Sequence, residues 1–521
     1  MTRMLGLVAL TTLAVASCMS GKGTDPTGDG GGGAVGRDTG SGRAAWGAGV
    51  GSDSAKGGSG GSSPPTGGAG GAGGSEFADN KPPQCDYAPQ GDIKLRLSGA
   101  RATASPVLAR AALLADGVPA AGSLVPGEFL NYFDAGYADT DEIRLTAGVG
   151  EIDHVFPRQM ILQVAVQAPG SVHRAMTVAV VIDTSTSMAG PSMTRAKAAA
   201  SSLLEGLNES DIFVLVAPGG IEEVFALHDP EARAQAKQAI ETINATGDED
   251  LGAAVSAAYA RVRLERPKGD QGRVVLITDG AAPATTIDLG IVAGHRQDPE
   301  IDVSLTGIGV GAPLGYSPEL VSLASRVGGG ASLYVDDDEA KTLGARLDGL
   351  LDIAARDVVV TLALPEYLKV VSSSVTVPGG SSDTGLPDSE LGLGRTMIFR
   401  VVVESCVPVS DLPALEDYTI SASWIRPDGK GDGLVLPINR SWLMSSDQAQ
   451  IRKASLFAAW GEAISNLRVA QAEDVAKQAT TMLGDPTICP VDAAQQPACP
   501  EVQAIEKQVN AFLALTAAPA N

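Results

Sequence analysis

Histidine is nearly absent: there are four in 521 residues, at His154, His173, His228 and His295, too scattered for a catalytic triad or a histidine metal site. Cysteine is also scarce, with five residues and no CxxC pair, which argues against a closed zinc centre. Positive charge is short. The chain has 38 Lys and Arg against 61 Asp and Glu, a formal net charge of -23, and no basic stripe offsets it. Such a surface repels nucleic acid phosphates and anionic membranes, so neither is expected as a partner. No phosphate-cradling loop and no nucleophile–base pair is visible, so an enzyme is not expected. Two motif look-alikes fall away on context. Gly57-Gly58-Ser59-Gly60-Gly61 matches an esterase elbow, but no strand and helix flank it. Asp428-Gly429-Lys430-Gly431-Asp432-Gly433 has the look of a calcium loop. Lys430 takes a ligand position there and no Glu closes the loop, so a hairpin turn is expected.

What is abundant is glycine, and it is unevenly placed. Residues 21–80 hold 23 glycines, mixed with Ser, Ala, Thr and Pro. Such a stretch cannot bury enough apolar surface to offset its ordering entropy. Residues 18–80 therefore read as a flexible tether, with the folded region starting near residue 81. Ahead of it, Arg3 and the short apolar run Leu5 to Val15 read as a signal peptide over residues 1–17. Val15-Ala16-Ser17-Cys18 resembles the lipobox of bacterial lipoproteins, in which the cysteine is lipidated; an ordinary signal peptide with an incidental cysteine is the other reading. No second apolar run of spanning length appears, so attachment to a membrane by lipid alone is expected. Met19 follows Cys18 where an aspartate retention signal would stand. That favours the outer membrane in a Gram-negative cell. Four cysteines remain, Cys85, Cys406, Cys489 and Cys499, and an even number in an exported chain implies two disulfides. Three pairings are possible. Nearness in a Pro-rich loop favours Cys489 with Cys499, which leaves Cys85 with Cys406.

Hydrophobic patterning divides the rest. MTVAVVID (176–183), DIFVLVA (211–217), GRVVLITDG (272–280) and IDVSLTGIGVG (301–311) are continuous apolar runs, as buried parallel strands require. Helical stretches alternate with them at 192–207, 231–243, 251–263, 317–327 and 338–354, and ASLYV (331–335) is a short strand. Asp336-Asp337-Asp338-Glu339 sits where a helix dipole favours acid. This is a doubly wound α/β domain with a mostly parallel sheet, placed at 176–352. The flanks differ. QMILQVAVQA (159–168), DVVVTLALP (357–365), TMIFRVVVE (396–404) and DYTISASWI (417–425) alternate with period two, and LVLPI (434–438) follows a turn. They imply an antiparallel β-sandwich into which the α/β domain is inserted, with one strand before it in region 81–175 and several after it in 353–445. Region 446–521 is helical at 447–483 and 501–515, with Leu456, Trp460, Ala463 and Leu467 as a packing stripe.

The first strand of the α/β domain delivers Asp183 to the carboxyl edge of the sheet, and a turn sets Ser185 and Ser187 beside it. One carboxylate and two hydroxyls suit a hard cation such as Mg²⁺, with Mn²⁺ or Ca²⁺ as variants. The alternative is that these three residues cap the turn and the helix start. Asp183-x-Ser185-x-Ser187 after a buried strand resembles the metal-ion-dependent adhesion site of von Willebrand factor type A (VWA) domains. Asp279 stands where that family has its third-loop aspartate, and GDEDLGAAVSAAYARV (247–262) resembles its second metal loop. There the family's threonine is replaced by Glu249, with Thr246 three residues earlier. GEFLNYFDAGYAD (127–139) and AARDVVVTLALP (354–365) further resemble segments of bacterial YfbK-type VWA lipoproteins. The resemblance implies a non-enzymatic binding or adhesion module of the cell envelope. It would take an envelope or extracellular protein partner, through an acidic side chain that completes the metal's ligands. A metal-independent scaffold is the competing expectation, favoured by Glu249.

Overall fold

The computed structural model describes residues 85, 91–97, 101–120, 122–151, 158–170, 174–247, 250–297, 303–373, 389–412, 417–492 and 496–517. Cys18, the tether and Glu249 lie outside them, as do His154 and His173. In chain order the region ahead of the α/β domain holds β1 (Ile93–Leu95), α1 (Ala104–Leu114), α2 (Glu128–Tyr132), β2 (Arg144–Glu151) and β3 (Gln159–Gln167). The α/β domain begins with β4 (Met176–Ile182), α3 (Pro191–Gly206), β5 (Ile212–Ala217), β6 (Ile221–Ala226), α4 (Ala232–Thr242), α5 (Leu251–Glu265) and β7 (Gln271–Thr278). It continues with α6 (Leu289–Gln297), β8 (Val303–Gly309), α7 (Glu319–Val327), β9 (Gly329–Tyr334), α8 (Glu339–Thr342) and α9 (Leu347–Leu351). Then come β10 (Ile353–Ala363), β11 (Leu368–Ser373), β12 (Leu391–Gly392), β13 (Thr396–Ser405), β14 (Asp417–Ile425) and β15 (Gly431–Asn439). The chain ends in α10 (Arg440–Ser445), α11 (Gln448–Ser465), α12 (Val469–Leu483) and α13 (Pro500–Ala517).

The central sheet runs β6-β5-β4-β7-β8-β9, parallel except at β6. Every residue of β4 and β8 is buried, because helices cover both faces. Met176, Val180, Ile182, Leu203 and Ile240 pack one face; Ala179, Val181, Val255, Tyr259 and Leu276 pack the other. The edge strand β6 was not legible in the sequence, because its outer positions Glu222, Glu223 and Val224 are exposed and break the apolar run. The helix expected over 338–354 is broken into α8, a 3-10 turn and α9, and β10 begins at Ile353. Gly344 lies in that break. A Cβ there would sit 2.0 Å from the Ser202 carbonyl of α3, so only glycine permits the approach.

The sandwich has one sheet of β1-β10-β14-β15, with β12 on β10, and a second of β11-β13-β3-β2. Leu95, Val164, Val360, Phe399 and Ile420 fill the space between them. Among the described residues three strands precede the α/β domain, where the sequence showed only β3. β1 is three residues long, and β2 (RLTAGVGE) is rich in small residues. The α/β domain is an insertion between β3 and β10. At the two crossings Arg174 pairs with the fully buried Asp352, which also accepts a 2.7 Å bond from Gln271 Nε2. Residues 426–430 form the β14–β15 hairpin turn, with Gly429 at φ +80°, and residues 431–433 already pair as the start of β15.

Helices α1, α2, α11, α12 and α13 form a separate layer around Trp460, Phe129, Phe133, Phe457 and Phe512. It also takes in Ile398 from β13 and Tyr316 and Tyr334 from the α/β domain. The helix expected over 447–483 is interrupted between α11 and α12, where Leu467 has φ +51°. Leu456, Trp460 and Ala463 are fully buried, but Leu467 turns out of the stripe and is 38 % exposed. Disulfides join Cys85 to Cys406 and Cys489 to Cys499, with Cα separations of 5.8 and 5.4 Å. Among the described residues no helix is long and apolar enough to cross a membrane.

Candidate functional site

β4 pairs in parallel with β7, Ile182 opposite Ile277, and Asp183 N–H continues the ladder to Ile277 C=O at 3.0 Å. Asp183 is thereby set at the carboxyl edge of the central sheet, 2 % exposed. Its Oδ1 accepts the Ser185 N–H at 2.9 Å, which makes the turn. A 3-10 turn over Thr186–Met188 follows, anchored by the fully buried Met188. It leaves Ser185 half-buried and Ser187 exposed, with their hydroxyl oxygens 3.0 Å apart.

Asp279 follows β7 in the neighbouring loop, half-buried, its Oδ1 accepting the Ala281 N–H at 3.0 Å. The second loop reaches the motif through Gly247, whose N–H donates to Thr184 C=O at 3.0 Å. Thr246 is exposed there, and Asp250 caps α5 by accepting the Ala253 N–H at 2.9 Å. The fold thus brings Asp183, Ser185, Ser187 and Asp279 to the ends of two adjacent strands, with Gly247 held against Thr184 beside them.

Sequence reasoning missed two residues. Thr278, fully buried at the end of β7, donates its hydroxyl to Asp183 Oδ2 at 2.7 Å. The signal was its place, immediately before Asp279 in LITDG. Tyr316 packs beneath the Asp279 loop. A Cβ on Gly280 (φ +75°) would come within 2.9 Å of its ring, so a residue without a side chain is needed there. Burial pushes the Tyr316 phenol above its ordinary range, and its hydroxyl has no partner among the described residues.

The donor set is hydroxyl and carboxylate oxygen. Among the described residues no group of three or more His, Cys, Asp or Glu could hold a metal, so any ion here depends on the serines. Ligand oxygens about 2.1 Å from Mg²⁺ in octahedral geometry stand about 3.0 Å apart when adjacent. The Ser185–Ser187 separation meets that requirement. It is equally the length of an ordinary hydroxyl hydrogen bond. Of the histidines, His295 stacks on Tyr259 at 4.4 Å, away from the motif.

Residues 178–281, from β4 to just past Asp279, match the model of the von Willebrand factor type A domain family. The chain therefore carries a VWA domain. Domains of this family often bind a divalent ion at such a motif, and they serve as interaction modules. The pilus adhesin SpaC from Lactobacillus rhamnosus GG, in its open conformation, is similar at 12 % identity and a TM-score of 0.27, over 58 % of this chain and 48 % of the adhesin. The chain thus spans about half the adhesin's length. The SpRpn10 VWA domain is similar at 10 % identity and a TM-score of 0.24, over 33 % of this chain and 94 % of that domain. No curated protein matches the chain.

Proposed function

We propose that this is an exported, lipid-anchored protein of the bacterial cell envelope whose VWA domain captures a protein partner through a divalent ion, Mg²⁺ first. Asp183, Ser185, Ser187 and Asp279 hold the ion, and an acidic side chain of the partner completes its ligands. Lipidation at Cys18, with the Gly-rich stretch as tether, holds the domain away from the membrane, on the outer membrane in a Gram-negative cell. The observation that carries the metal is the pair of hydroxyls 3.0 Å apart beside a buried carboxylate at the sheet's carboxyl edge. No catalytic step is assigned to the site.

The test is calorimetric titration of the full chain with Mg²⁺ and Mn²⁺, followed by partner capture from envelope extract with and without EDTA. Ser187→Ala, at an exposed position, should weaken the ion at least about tenfold, or about 1.4 kcal/mol. Asp183→Ala should abolish ion binding and capture together. Glu249 adds negative charge where the family has threonine, so Glu249→Thr should leave the ion more open to a partner carboxylate and strengthen capture. Capture that survives both EDTA and Asp183→Ala would sink this reading.

A second reading, a metal-independent envelope scaffold, has its own observation. Both Asp183 oxygens are already satisfied inside the protein, by the Ser185 N–H and the Thr278 hydroxyl. An absence of heat and of thermal shift with either ion selects it.

A further inference from the structure

Helices α1 and α13 leave a groove between them in the helical layer, with a volume of about 360 Å³. On α13 it is lined by a stripe at helical spacing that includes Ala504, Lys507, Gln508 and Ala511, and on α1 by Leu113 and Leu114. The groove exists because Ala504 and Ala511 are small; a longer side chain at either would fill it. Leu114 is 75 % exposed, the highest value of any large apolar residue among those described. The Asp183 site makes no use of this groove.

One polar side chain on the groove is more than nine-tenths buried. Gln508 is 8 % exposed, and its Oε1 accepts the Trp460 indole N–H at 3.2 Å. An indole N–H can only donate, so this bond fixes which way the amide faces and turns Nε2 away from Trp460. Among the described residues Nε2 has no hydrogen-bond partner, and it is not one of the enclosed atoms of the core. It is a donor held in place by packing, on a groove that offers it no acceptor, and folded proteins seldom leave such a group unmet. Lys507 precedes it in the chain and is exposed, and among the described residues no carboxylate pairs with it. Arg110, also on the wall, is already engaged by Asp336, Glu339 and the Tyr132 hydroxyl.

Apolar walls, one fixed donor and one unpaired cation together describe the complement of an apolar chain that ends in an anionic acceptor. We propose that this groove binds an aliphatic monocarboxylate, with the chain against Leu113, Leu114, Ala504 and Ala511 and the carboxylate on Gln508 Nε2 and the Lys507 ammonium. The volume exceeds the roughly 300 Å³ at which small-molecule sites begin, so a medium-length chain is accommodated whole. Burial of the chain supplies the affinity, and the polar pair sets its direction in the groove. Lysine suits the rim because its flexible stem carries a point charge to a carboxylate that the buried amide has already positioned.

The experiment is calorimetric titration of the full chain, at about pH 8 where carboxylates are ionised, with decanoate, hexanoate and decyltrimethylammonium. Decanoate should bind saturably below about 1 mM. Hexanoate should bind at least about tenfold more weakly, because each buried methylene carries about a fourfold change. Decyltrimethylammonium has the same chain and no acceptor, and it should also bind at least about tenfold more weakly. A chain of net charge -23 attracts that cation over its whole surface, so the opposite preference marks a local site. Gln508→Glu keeps an acceptor for Trp460 and replaces the donor with a like charge, which should cost at least about tenfold in decanoate affinity. Ala504→Phe, at a half-buried position, fills the groove and should do the same; it decides the matter if Gln508→Glu does not fold. No saturable binding of decanoate up to about 1 mM overturns the proposal. So does equal binding of hexanoate, equal binding of decyltrimethylammonium, or unchanged affinity in the folded variants.

Discussion

Asp183 and Glu128 are both buried carboxylates, and their surroundings treat them differently. Asp183 sits at a strand end, where a backbone N–H and a hydroxyl converge on it. Glu128, in α2, reaches to the start of α1 and accepts the Ser105 N–H at 2.7 Å. Burial nonetheless pushes the Glu128 carboxyl above its ordinary range, against the bonds from Ser105 and Ala104. A raised carboxyl favours the protonated form in the folded state. Its stabilising contribution is therefore fullest below the unfolded pKa and is lost as pH rises through the folded value. Glu128→Gln cannot ionise and keeps an acceptor for Ser105. Its stability relative to wild type should climb as pH rises above the ordinary glutamate value of about 4.3, and level off once the folded carboxyl has ionised. Urea titrations across that range test this, and a flat difference would contradict it. The Asp183, Ser185, Ser187 and Asp279 cluster was legible because its members sit in or beside two strong strand signals. Thr278 was not, because its one mark is its place before Asp279, and nothing local shows that its hydroxyl turns to Asp183.

At the scale of elements, the continuous buried strands of the α/β domain declared themselves, and so did the amphipathic α11. The interruptions did not, because each is set by a partner elsewhere in the fold. The break after α8 answers a close approach to α3 at Gly344, and Leu467 adopts a left-handed conformation between two helices that pack on α13. Helix α11 is where the helical layer is most exposed to damage. Trp460 is fully buried, and its indole N–H donates to Gln508 Oε1 of α13 at 3.2 Å. Trp460→Ala should cost about 3–5 kcal/mol, from the cavity and the stranded acceptor together. Trp460→Phe keeps most of the packing and should cost less. Denaturant midpoints of the two variants check the order, and equal losses would show that the hydrogen bond dominates.

For the whole molecule, the Cys85–Cys406 disulfide joins residues 321 positions apart, with the VWA domain and the first three strands between them. It fastens the chain ahead of β1 to the end of β13, so sandwich sequence from before the insertion is tied to sandwich sequence from after it. Closing so large a loop restricts the unfolded chain, and a native disulfide of this kind contributes about 2–5 kcal/mol. Cys406→Ser should lower the denaturant midpoint accordingly. Cys489→Ser, whose partner is only 10 residues away, should lower it less, because loop-closure entropy grows with loop length. An equal or larger effect from the short bridge would assign the stabilisation to local packing around α13.

The sequence by itself determined the order of parts: a short apolar run, a Gly-rich stretch, an α/β domain set within alternating strands, and terminal helices. Periodicity and composition are local properties, so they can be read without knowing what lies opposite. It also supplied the Asp183-x-Ser185-x-Ser187 motif, whose geometry follows from one strand and one turn. Tertiary structure alone decided that β3 and β13 are neighbours, that Thr278 holds Asp183, and that Tyr316 supports the Asp279 loop. Each of these depends on register or packing between segments far apart in the chain. That information lies in the contacts between elements and not within any one of them.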